Sequence, residues 1–305
     1  MRKIDIGKGE ILASAISLGC MRMAKLTEKE ANIMINTALE EGIDFFDHAD
    51  IYGAGKSEEI FANAIGMTPG IREKMLLQSK CGIRSASFDF SKEHILEAVD
   101  GSLKRLKTDY LDVLLLHRPD ALVEPEEVAE AFTILHSSGK VRYFGVSNET
   151  PLQIELLTKY LNQKLLINQL QFSVMHTGMI DSGITMNMKW PSTVDRDGGI
   201  LDYCRLKDIT IQAWSPFQYG MFEGVFLDND KFPELNKTIN EIAVKYGVKN
   251  TAVAVAWILR HPAKMQVVVG TMNPQRLRDT CKATNFELTR QEWYDIYLAA
   301  GNKLP

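Results

Sequence analysis

A short segment of the chain carries more polar side chains than the end of a buried strand usually holds. It runs from Ile43 to Gly53, and its apolar first half leads directly into Asp47, His48, Asp50 and Tyr52. Four polar side chains in so short a span are too many to be filler in a hydrophobic core. A carboxylate and a phenol five residues apart, just after an apolar strand, predict a functional site.

Asp47 and Tyr52 make chemical sense together with Lys80 and His117, which also follow apolar strands. The phenol of tyrosine has a pKa of about 10 and is a poor acid near neutral pH. A lysine ammonium beside it lowers that pKa, and an aspartate paired with the lysine keeps the lysine charged. A histidine next to the phenol can donate a hydrogen bond to the carbonyl oxygen of a substrate. The four residues together suit protonation of a carbonyl oxygen as a hydride reaches the carbon.

The elements that must position these residues alternate between apolar strands and amphipathic helices. Two strands around a glycine turn predict an N-terminal hairpin at Lys3–Ile6 and Glu10–Ala13. Further strands are predicted at Ala15–Leu18, in the first half of Ile43–Gly53, and at Met75–Gln78, Tyr110–Leu116, Val141–Val146, Leu165–Leu170, Ile209–Trp214 and Gln266–Val269. Helices are predicted after Thr27, at Ser57–Ile65, Ser91–Leu106 and Pro125–Ser137, from Pro151, and at Gly199–Leu206, Pro233–Tyr246, Thr251–Arg260 and Thr289–Ala299.

The order of these elements predicts an α/β fold, a (β/α)8 TIM barrel with an N-terminal β-hairpin and an extra C-terminal helix. The strands are short and continuously apolar, which is typical of a parallel sheet covered on both faces. About eight strand–helix units favour a closed barrel over an open sheet, and active sites of such barrels lie at the C-terminal ends of the strands. Because no linker interrupts the sequence, residues 1–305 are interpreted as one domain.

Composition excludes several classes of function. A net charge of −4 and a pI near 5.9 give no basic field for nucleic acid or an anionic membrane surface. The four cysteines, Cys20, Cys81, Cys204 and Cys281, form no CxxC pair or Cys/His cluster, so no metal site is predicted. No apolar run reaches membrane-spanning length and the N-terminus lacks a signal-peptide core, which favours a cytoplasmic protein with reduced cysteines. We interpret the cysteines as small core residues, with oxidisable thiols at the site rim as the alternative for Cys20 and Cys81.

Seven segments spread over essentially the whole chain make it resemble the aldo-keto reductases. They are FFDHADIYG, QSKCG, LLLHRPD, GVSN, INQLQFS, AWSPF and VVVGTMNPQRL. The resemblance implies that Tyr52 is the general acid, that Lys80 and Asp47 tune it, and that His117 positions the substrate carbonyl. It also implies reduction of aldehydes or ketones to alcohols. His48 stands where the family often has threonine, and we interpret it as lying behind the site or at its rim, without a catalytic role.

The same resemblance implies NADPH as cofactor, with NADH possible, bound in the barrel mouth. Trp214 would stack on the nicotinamide, while Ser147, Asn148 and Gln169 would bond its amide. The remaining expected cofactor contacts are Gly19, Met21, Arg22, Asp47, Ser215, Pro216, Phe217, Gln218, Gly270, Thr271, Met272 and Arg276. Arg276 can pair with a 2′-phosphate in bidentate fashion. Two departures bear on this expectation, since Gly270 stands where the family often has lysine, and Asp279-Thr280 replaces Glu-Asn.

Two other functions, and the role of one irregular segment, remain open at this point. A dinucleotide-binding regulatory or sensor barrel with slow turnover would carry the same residues. A metal-dependent hydrolase using Asp47, His48, Asp50 and His117 is disfavoured because no further histidine pair stands at other strand ends. The segment Val174–Asp197 is irregular in pattern, and its methionines either form a soft substrate wall or pack the loop against the barrel.

Overall fold

The N-terminal hairpin lies outside the barrel and covers its bottom. In the computed structural model, which describes residues 1–305, β1 (Lys3–Ile6) pairs antiparallel with β2 (Ile11–Ser14). Ile4, Ile6, Ile11 and Ala13 are buried, so one face of the hairpin packs on the protein. The predicted hairpin is confirmed, with its second strand beginning one residue later than expected.

Eight parallel strands form the closed barrel that the sequence predicts. They are β3 (Ile16–Gly19), β4 (Phe45–Asp47), β5 (Leu76–Cys81), β6 (Leu111–Leu116), β7 (Val141–Ser147), β8 (Leu165–Gln171), β9 (Thr210–Trp214) and β10 (Gln266–Val269). Each strand pairs with its neighbour in chain order, and β10 closes the ring against β3 with Val267 opposite Ile16. The C-terminal ends of all eight strands therefore open on one face.

Twelve helices cover the barrel and link its strands. They are α1 (Glu28–Glu40), α2 (Lys56–Ile65), α3 (Pro69–Arg72), α4 (Lys92–Leu106), α5 (Pro125–Ser137), α6 (Pro151–Thr158), α7 (Gly178–Ile184), α8 (Ile200–Leu206), α9 (Pro233–Tyr246), α10 (Asn250–Leu259), α11 (Pro274–Cys281) and α12 (Arg290–Ala299). Capping boxes begin α1, α6 and α12, where a threonine and a residue three positions later satisfy each other's backbone N–H. No single helix is long and apolar enough to cross a membrane; α9 and α10 pass that test only as a pair bent by 92°.

The C-terminal helix is held by two indoles that bond each other's backbone. Trp257 of α10 and Trp293 of α12 stack with ring centroids 4.7 Å apart. Each indole Nε1 donates to the carbonyl oxygen of the other residue at 3.0 Å. Because buried indoles need a partner for their N–H, this reciprocal pair fixes the register of α12 on the barrel.

A buried ion pair stands at the bottom of β6. Asp112 is 2% exposed, and its Oδ2 accepts hydrogen bonds from Arg72 Nη2 at 2.5 Å and from Leu77 N at 2.9 Å. Its Oδ1 accepts from Arg142 Nη1 at 3.2 Å. The ring of Tyr110 lies between the two guanidiniums, 3.9 Å from the Cζ of Arg72 and 3.8 Å from that of Arg142. This cluster joins α3, β5, β6 and β7 at the end of the barrel opposite the strand termini that carry the predicted site.

Gly145 of β7 occupies a position with no room for a side chain. An added Cβ would lie 2.7 Å from the carbonyl oxygen of Ile167 and 2.7 Å from Leu115 Cδ2. We expect Gly145→Ala to lower the free energy of unfolding by about 1–3 kcal/mol, the cost of overpacking a core. Urea unfolding would measure this, with Gly183→Ala as the control, since nothing lies within 4 Å of a Cβ there. Equal urea midpoints for the two variants would show that β7 and β8 can separate without cost.

The segment Val174–Asp197 is more ordered than its sequence pattern suggested. It contains α7 and a 3-10 turn at Pro191–Thr193. Helix α7 has only seven residues and includes two glycines, so no amphipathic repeat marks it in the sequence. Met175 and Met179 are partly buried against the core, whereas Met186 is exposed.

Candidate active site

A cleft of about 770 Å³ opens at the C-terminal ends of the strands. It brings together all the residues that the sequence analysis assigned to a site except Lys80, which lies fully buried beneath its floor. These cleft residues are Gly19, Met21, Arg22, Asp47, Tyr52, His117, Ser147, Asn148, Gln169, Trp214, Ser215, Pro216, Phe217, Gln218, Gly270, Thr271, Met272 and Arg276. They come from the ends of seven different strands or the loops that follow them, so only the closed barrel makes them neighbours.

The floor of the cleft holds Lys80 between a carboxylate and a phenol. Lys80 Nζ donates to Asp47 Oδ1 at 2.6 Å, to the backbone oxygen of His48 at 2.8 Å and to Tyr52 Oη at 3.2 Å. Three acceptors satisfy all three ammonium protons, which is what a fully buried lysine requires. Because β4 and β5 are adjacent, their ends place Asp47 and Lys80 side by side.

Burial sets the protonation state of the tyrosine. It raises the pKa of the Tyr52 phenol above its usual value, and the nearby Lys80 ammonium opposes that shift without cancelling it. Burial also lowers the pKa of Lys80, but Asp47 and Tyr52 outweigh it and hold the net pKa above its usual value. Lys80 lowers the pKa of the phenol as the sequence predicts, but desolvation is the larger effect and makes the net shift upward. Near neutral pH, Tyr52 is a protonated phenol beside a charged ammonium.

His117 stands across the floor from the phenol. Its ring centroid lies 5.9 Å from that of Tyr52, with the two rings nearly perpendicular. Burial, then the charges of Lys80 and Arg118, hold the pKa of His117 well below its usual value. Nδ1 has no hydrogen-bond partner. The imidazole is therefore neutral, and it can still form a hydrogen bond with a ligand bound next to Tyr52.

Asp47 is held by a chain of glutamine side chains inside the barrel, here called the amide network. Its members are Gln78, Gln169, Gln212 and Gln266. Asp47 Oδ1 accepts from Gln78 Nε2 at 2.5 Å and from Gln169 Nε2 at 3.0 Å. Both of these Nε2 groups also donate to Gln212 Oε1 at 2.9 Å. The chain continues from Gln212 Nε2 to Gln266 Oε1 at 2.7 Å, and from Gln266 Nε2 to the Ser14 carbonyl at 2.7 Å.

One side of the cleft presents an aromatic face and a row of linked polar groups. Trp214 Nε1 donates to Asn148 Oδ1 at 3.3 Å, and Asn148 Nδ2 donates to Ser147 Oγ at 2.7 Å. Asn148 and Ser215 have φ values of 61° and 52°, left-handed backbone that is uncommon outside glycine. Such backbone at strand ends turns the chain sharply and is typical of functional sites.

The opposite end of the cleft carries two guanidiniums. Arg22 Nη1 donates to the Gly270 carbonyl oxygen at 3.0 Å, and an added Cβ on Gly270 would lie 3.0 Å from the same nitrogen. The missing side chain at Gly270 thus makes room for Arg22. Arg276 is exposed on the first turn of α11, whose N-cap Asn273 accepts from Arg276 N at 2.9 Å. The side chain of Gln218 instead stabilises its own loop, because its Oε1 accepts a hydrogen bond from Phe222 N at 3.0 Å.

The cleft also includes residues that the sequence analysis did not assign to the site. They are Ile51, Ile83, Arg118, Met221, Phe222, Val225, Leu227, Asp228, Asn250, Thr251, Val268 and Asn273. Ile51, Arg118, Val268 and Asn273 lie within the quoted motifs and could have been found there. Asn250 and Thr251 begin α10, far from any strand end, and no sequence signal connects them with the cleft.

Three sequence-based alternatives are corrected. His48 is fully buried and not at a rim: its ring packs edge-on against Phe61 with centroids 4.7 Å apart, neither ring nitrogen has a partner, and burial lowers its pKa to about 3. Cys20 and Cys81 are buried as well, and burial raises the pKa of both thiols well above the usual value, so they are not rim thiols. No group of His, Cys, Asp or Glu side chains could hold a metal ion, so nothing in the structure favours a metal-dependent hydrolase.

Comparisons with known proteins identify the family and the fold. The sequence model of the Aldo/keto reductase family matches residues 15–298. An uncharacterized oxidoreductase, YcsN, from Bacillus subtilis is 36% identical over 100% of both chains. A 6-dehydroglucose reductase from Agrobacterium fabrum is 34% identical, covering 88% of this chain and 87% of its own. The crystal structure of the thermostable aldo-keto reductase Tm1743, in complex with the inhibitor epalrestat, is similar with a TM-score of 0.77 and 25% identity, covering 98% of this chain and 100% of its own.

Proposed function

This chain belongs to the aldo/keto reductase family, and from that premise we propose that it reduces an aldehyde or ketone to an alcohol, with NADPH as hydride donor and Tyr52 as general acid. Membership in the family and the named oxidoreductase relatives make it an oxidoreductase that uses a nicotinamide cofactor. The identity of the acid and the preference for NADPH are our proposals.

The observation that carries the proposal is the contact of Lys80 Nζ with both Tyr52 Oη and Asp47 Oδ1. A phenol held protonated by burial gives up its proton only if the phenolate is stabilised as it forms. The Lys80 ammonium, 3.2 Å away, supplies that stabilisation. Asp47 keeps the lysine charged in a site with no solvent access. Tyr52 can therefore donate its proton to an oxygen that becomes negative beside it.

The cleft has the dimensions and chemistry to hold NADPH. When bound, this cofactor supplies the hydride. Its nicotinamide would lie against Trp214, with Ser147, Asn148 and Gln169 near its amide. Its phosphates would lie towards Arg22 and Arg276. Gln169 Nε2 is engaged with Asp47 and Gln212, which leaves Oε1 to accept from an amide N–H.

Substrate orientation then falls to Tyr52 and His117. A carbonyl oxygen between the phenol and the imidazole would accept a hydrogen bond from each. The neutral state of His117 matters here because an imidazolium would compete with Lys80 for the same negative charge. The apolar residues Ile51 and Ile83 also line the cleft.

The preference for NADPH depends on the two guanidiniums. We expect Arg276→Met to raise the Kd of NADPH about 10- to 100-fold, the usual effect of losing a hydrogen bond between charged groups, with a much smaller change for NADH. Fluorescence titration of both cofactors would measure this. The matched control is Arg278→Met on the same helix, since Arg278 pairs with Glu40 away from the cleft. An equal loss for NADPH and NADH would mean that Arg276 does not contact the 2′-phosphate.

The proposed activity is tested by titrating the purified protein with NADPH and NADH and then following NADPH fluorescence with a panel of aldehydes and ketones. Binding followed by turnover supports the reductase. Tight binding with negligible turnover over the whole panel would favour a regulatory or sensor barrel instead. No binding of either cofactor would refute both.

A further inference from the structure

A side pocket of about 230 Å³ lies next to the cleft at Arg118. Arg118, Asn148, Trp214 and Met221 line both spaces, so the side pocket adjoins the cleft that contains Tyr52. The other lining residues are Glu149, Thr150, Leu170, Gln171, His176, Met179, Asp197 and Ile200. A bound molecule could therefore place its reacting group beside Tyr52 and extend a tail into the side pocket.

Glu149 is the most unusual group in this pocket. It is only 4% exposed, yet its carboxyl makes no hydrogen bond and no ion pair; only its backbone oxygen is used, by Asn168. Burial, together with the nearby Asp120, raises the pKa of Glu149 to about 7. Its carboxyl oxygens open on the side pocket, where they are free to accept hydrogen bonds from a bound molecule.

Arg118 provides the complementary group at the mouth of the side pocket. Its guanidinium is half-buried and forms no hydrogen bond or ion pair; its Cζ lies 5.6 Å from the ring of Trp214. Because Arg118 lines both the cleft and the side pocket, its N–H donors are available to a molecule that reaches from one to the other. Arg118 and Glu149 do not pair with each other, so Arg118 offers strong donors and Glu149 strong acceptors to a third molecule.

The side chains that line the side pocket limit the kinds of molecule that can bind there. A carboxylate or phosphate tail would be repelled by Glu149 and Asp197, and a cationic tail would meet Arg118 at the entrance. A purely apolar tail would leave both groups without partners. A hydroxyl both donates and accepts, so hydroxyls satisfy both groups, while the C–H faces of such a chain pack on Leu170, Ile200 and other apolar walls. At about 30 Å³ for each water-sized group, the volume holds several hydroxymethylene units.

We propose that the side pocket binds the hydroxylated tail of a polyhydroxylated aldehyde or ketone, with Glu149 accepting hydrogen bonds from its hydroxyls and Arg118 donating to their oxygens. This deepens the proposed carbonyl reduction and rests on it. The substrate's carbonyl would lie between Tyr52 and His117, and its hydroxyl-bearing chain would run past Arg118 to Glu149.

The kinetic test compares two four-carbon aldehydes, D-erythrose and butanal, which differ by three hydroxyls on the chain. The readout is the ratio of their kcat/KM values with NADPH at saturation. We expect Glu149→Leu and Arg118→Met each to lower this ratio about 10- to 100-fold, as for losing hydrogen bonds to a charged group. Glu149→Gln, which keeps an acceptor oxygen, should restore part of the ratio. Glu241→Leu on the exposed face of α9 is the control for loss of a carboxylate, and its ratio should equal that of the unaltered protein.

Ratios in Glu149→Leu and Arg118→Met equal to that of the unaltered protein would overturn the proposal. Arg118 is half-buried, so Arg118→Met keeps the test valid should Glu149→Leu fail to fold. A second measurement separates this proposal from the reductase itself: calorimetry of erythritol and 1-butanol binding to the complex with NADP⁺. Erythritol binding that is lost in Glu149→Leu would uphold the side pocket even without turnover. Turnover of butanal without Glu149-dependent erythritol binding would refute the side pocket and leave the reductase intact.

Discussion

Replacing Tyr52 with phenylalanine is expected to lower kcat for carbonyl reduction by about 10²–10⁴-fold, the range that general acid catalysis contributes. The phenylalanine ring keeps the edge-on contact with His117 but removes the only group bonded to Lys80 that can give a proton to substrate. The Kd of NADPH should change little, because the loss falls on the chemical step. Single-turnover kinetics with saturating NADPH would measure that step directly.

Tyr203→Phe is the matched control for this substitution. Tyr203 Oη donates to Glu155 Oε1 at 3.1 Å on α6, far from the cleft, so its removal should leave kcat unaltered. A Tyr52→Phe protein with undiminished kcat would show that another group or water protonates the carbonyl oxygen, and the role of Lys80 and Asp47 would then have to be assigned again. A protein that loses NADPH binding as well would place Tyr52 in the cofactor site.

Replacing Asp112 with alanine is expected to lower the free energy of unfolding by about 3–5 kcal/mol, the usual result of removing one partner of a buried ion pair. The substitution leaves the buried Arg72 guanidinium without its carboxylate and the Leu77 N–H without an acceptor. Urea unfolding followed by circular dichroism would measure the change. Turnover per folded molecule should be retained, since Asp112 lies at the barrel end away from the cleft.

The control is Asp100→Ala, which breaks a surface pair between Asp100 and Lys140. Exposed ion pairs contribute little to stability, so the urea midpoint should barely move. A midpoint for Asp112→Ala as high as that of the control would show that the remaining acceptors around Arg72, among them Thr108 and the Met75 carbonyl, suffice for its charge.

The sequence predicts the barrel well because parallel strands covered on both faces are continuously apolar and stand out from the amphipathic helices between them. Boundaries differ by one to three residues where apolarity and hydrogen bonding diverge, the largest difference being at β5, which ends at Cys81 and not at Gln78. Strand β4 begins at Phe45, whereas the apolar run begins at Ile43, because Ile43 N is still bonded to Ala38 at the end of α1. Helix α7 was not predicted, since seven residues with two glycines leave no periodic signal.

The cleft could be predicted from the sequence as far as it is built from strand ends. One topological rule brings Asp47, Lys80 and His117 to a common face, however distant they are along the chain. Residues that reach the cleft from loops or helix starts, such as Met221 and Thr251, follow no such rule. The sign of the Tyr52 pKa shift could not be predicted either, because it depends on how deeply the phenol is buried against how close Lys80 lies.

The hydrogen bonds of the amide network have a fixed orientation inside the barrel. Gln212 and Gln266 each donate through nitrogen and accept through oxygen, whereas Gln78 and Gln169 only donate, and both ends of the chain, Asp47 and the Ser14 carbonyl, are acceptors. Turning one amide end for end would set two oxygens or two N–H groups face to face, and turning all of them would set oxygens against Asp47 and the Ser14 carbonyl, so the amides are held in this orientation. Gln266 and Ser14, at the closed end of the barrel, therefore help to fix which dipoles Asp47 experiences at the open end. The direction of the hydrogen bonds around Asp47 therefore depends on the whole amide network. The effect of a substitution at Gln266 would be transmitted along this network to Asp47.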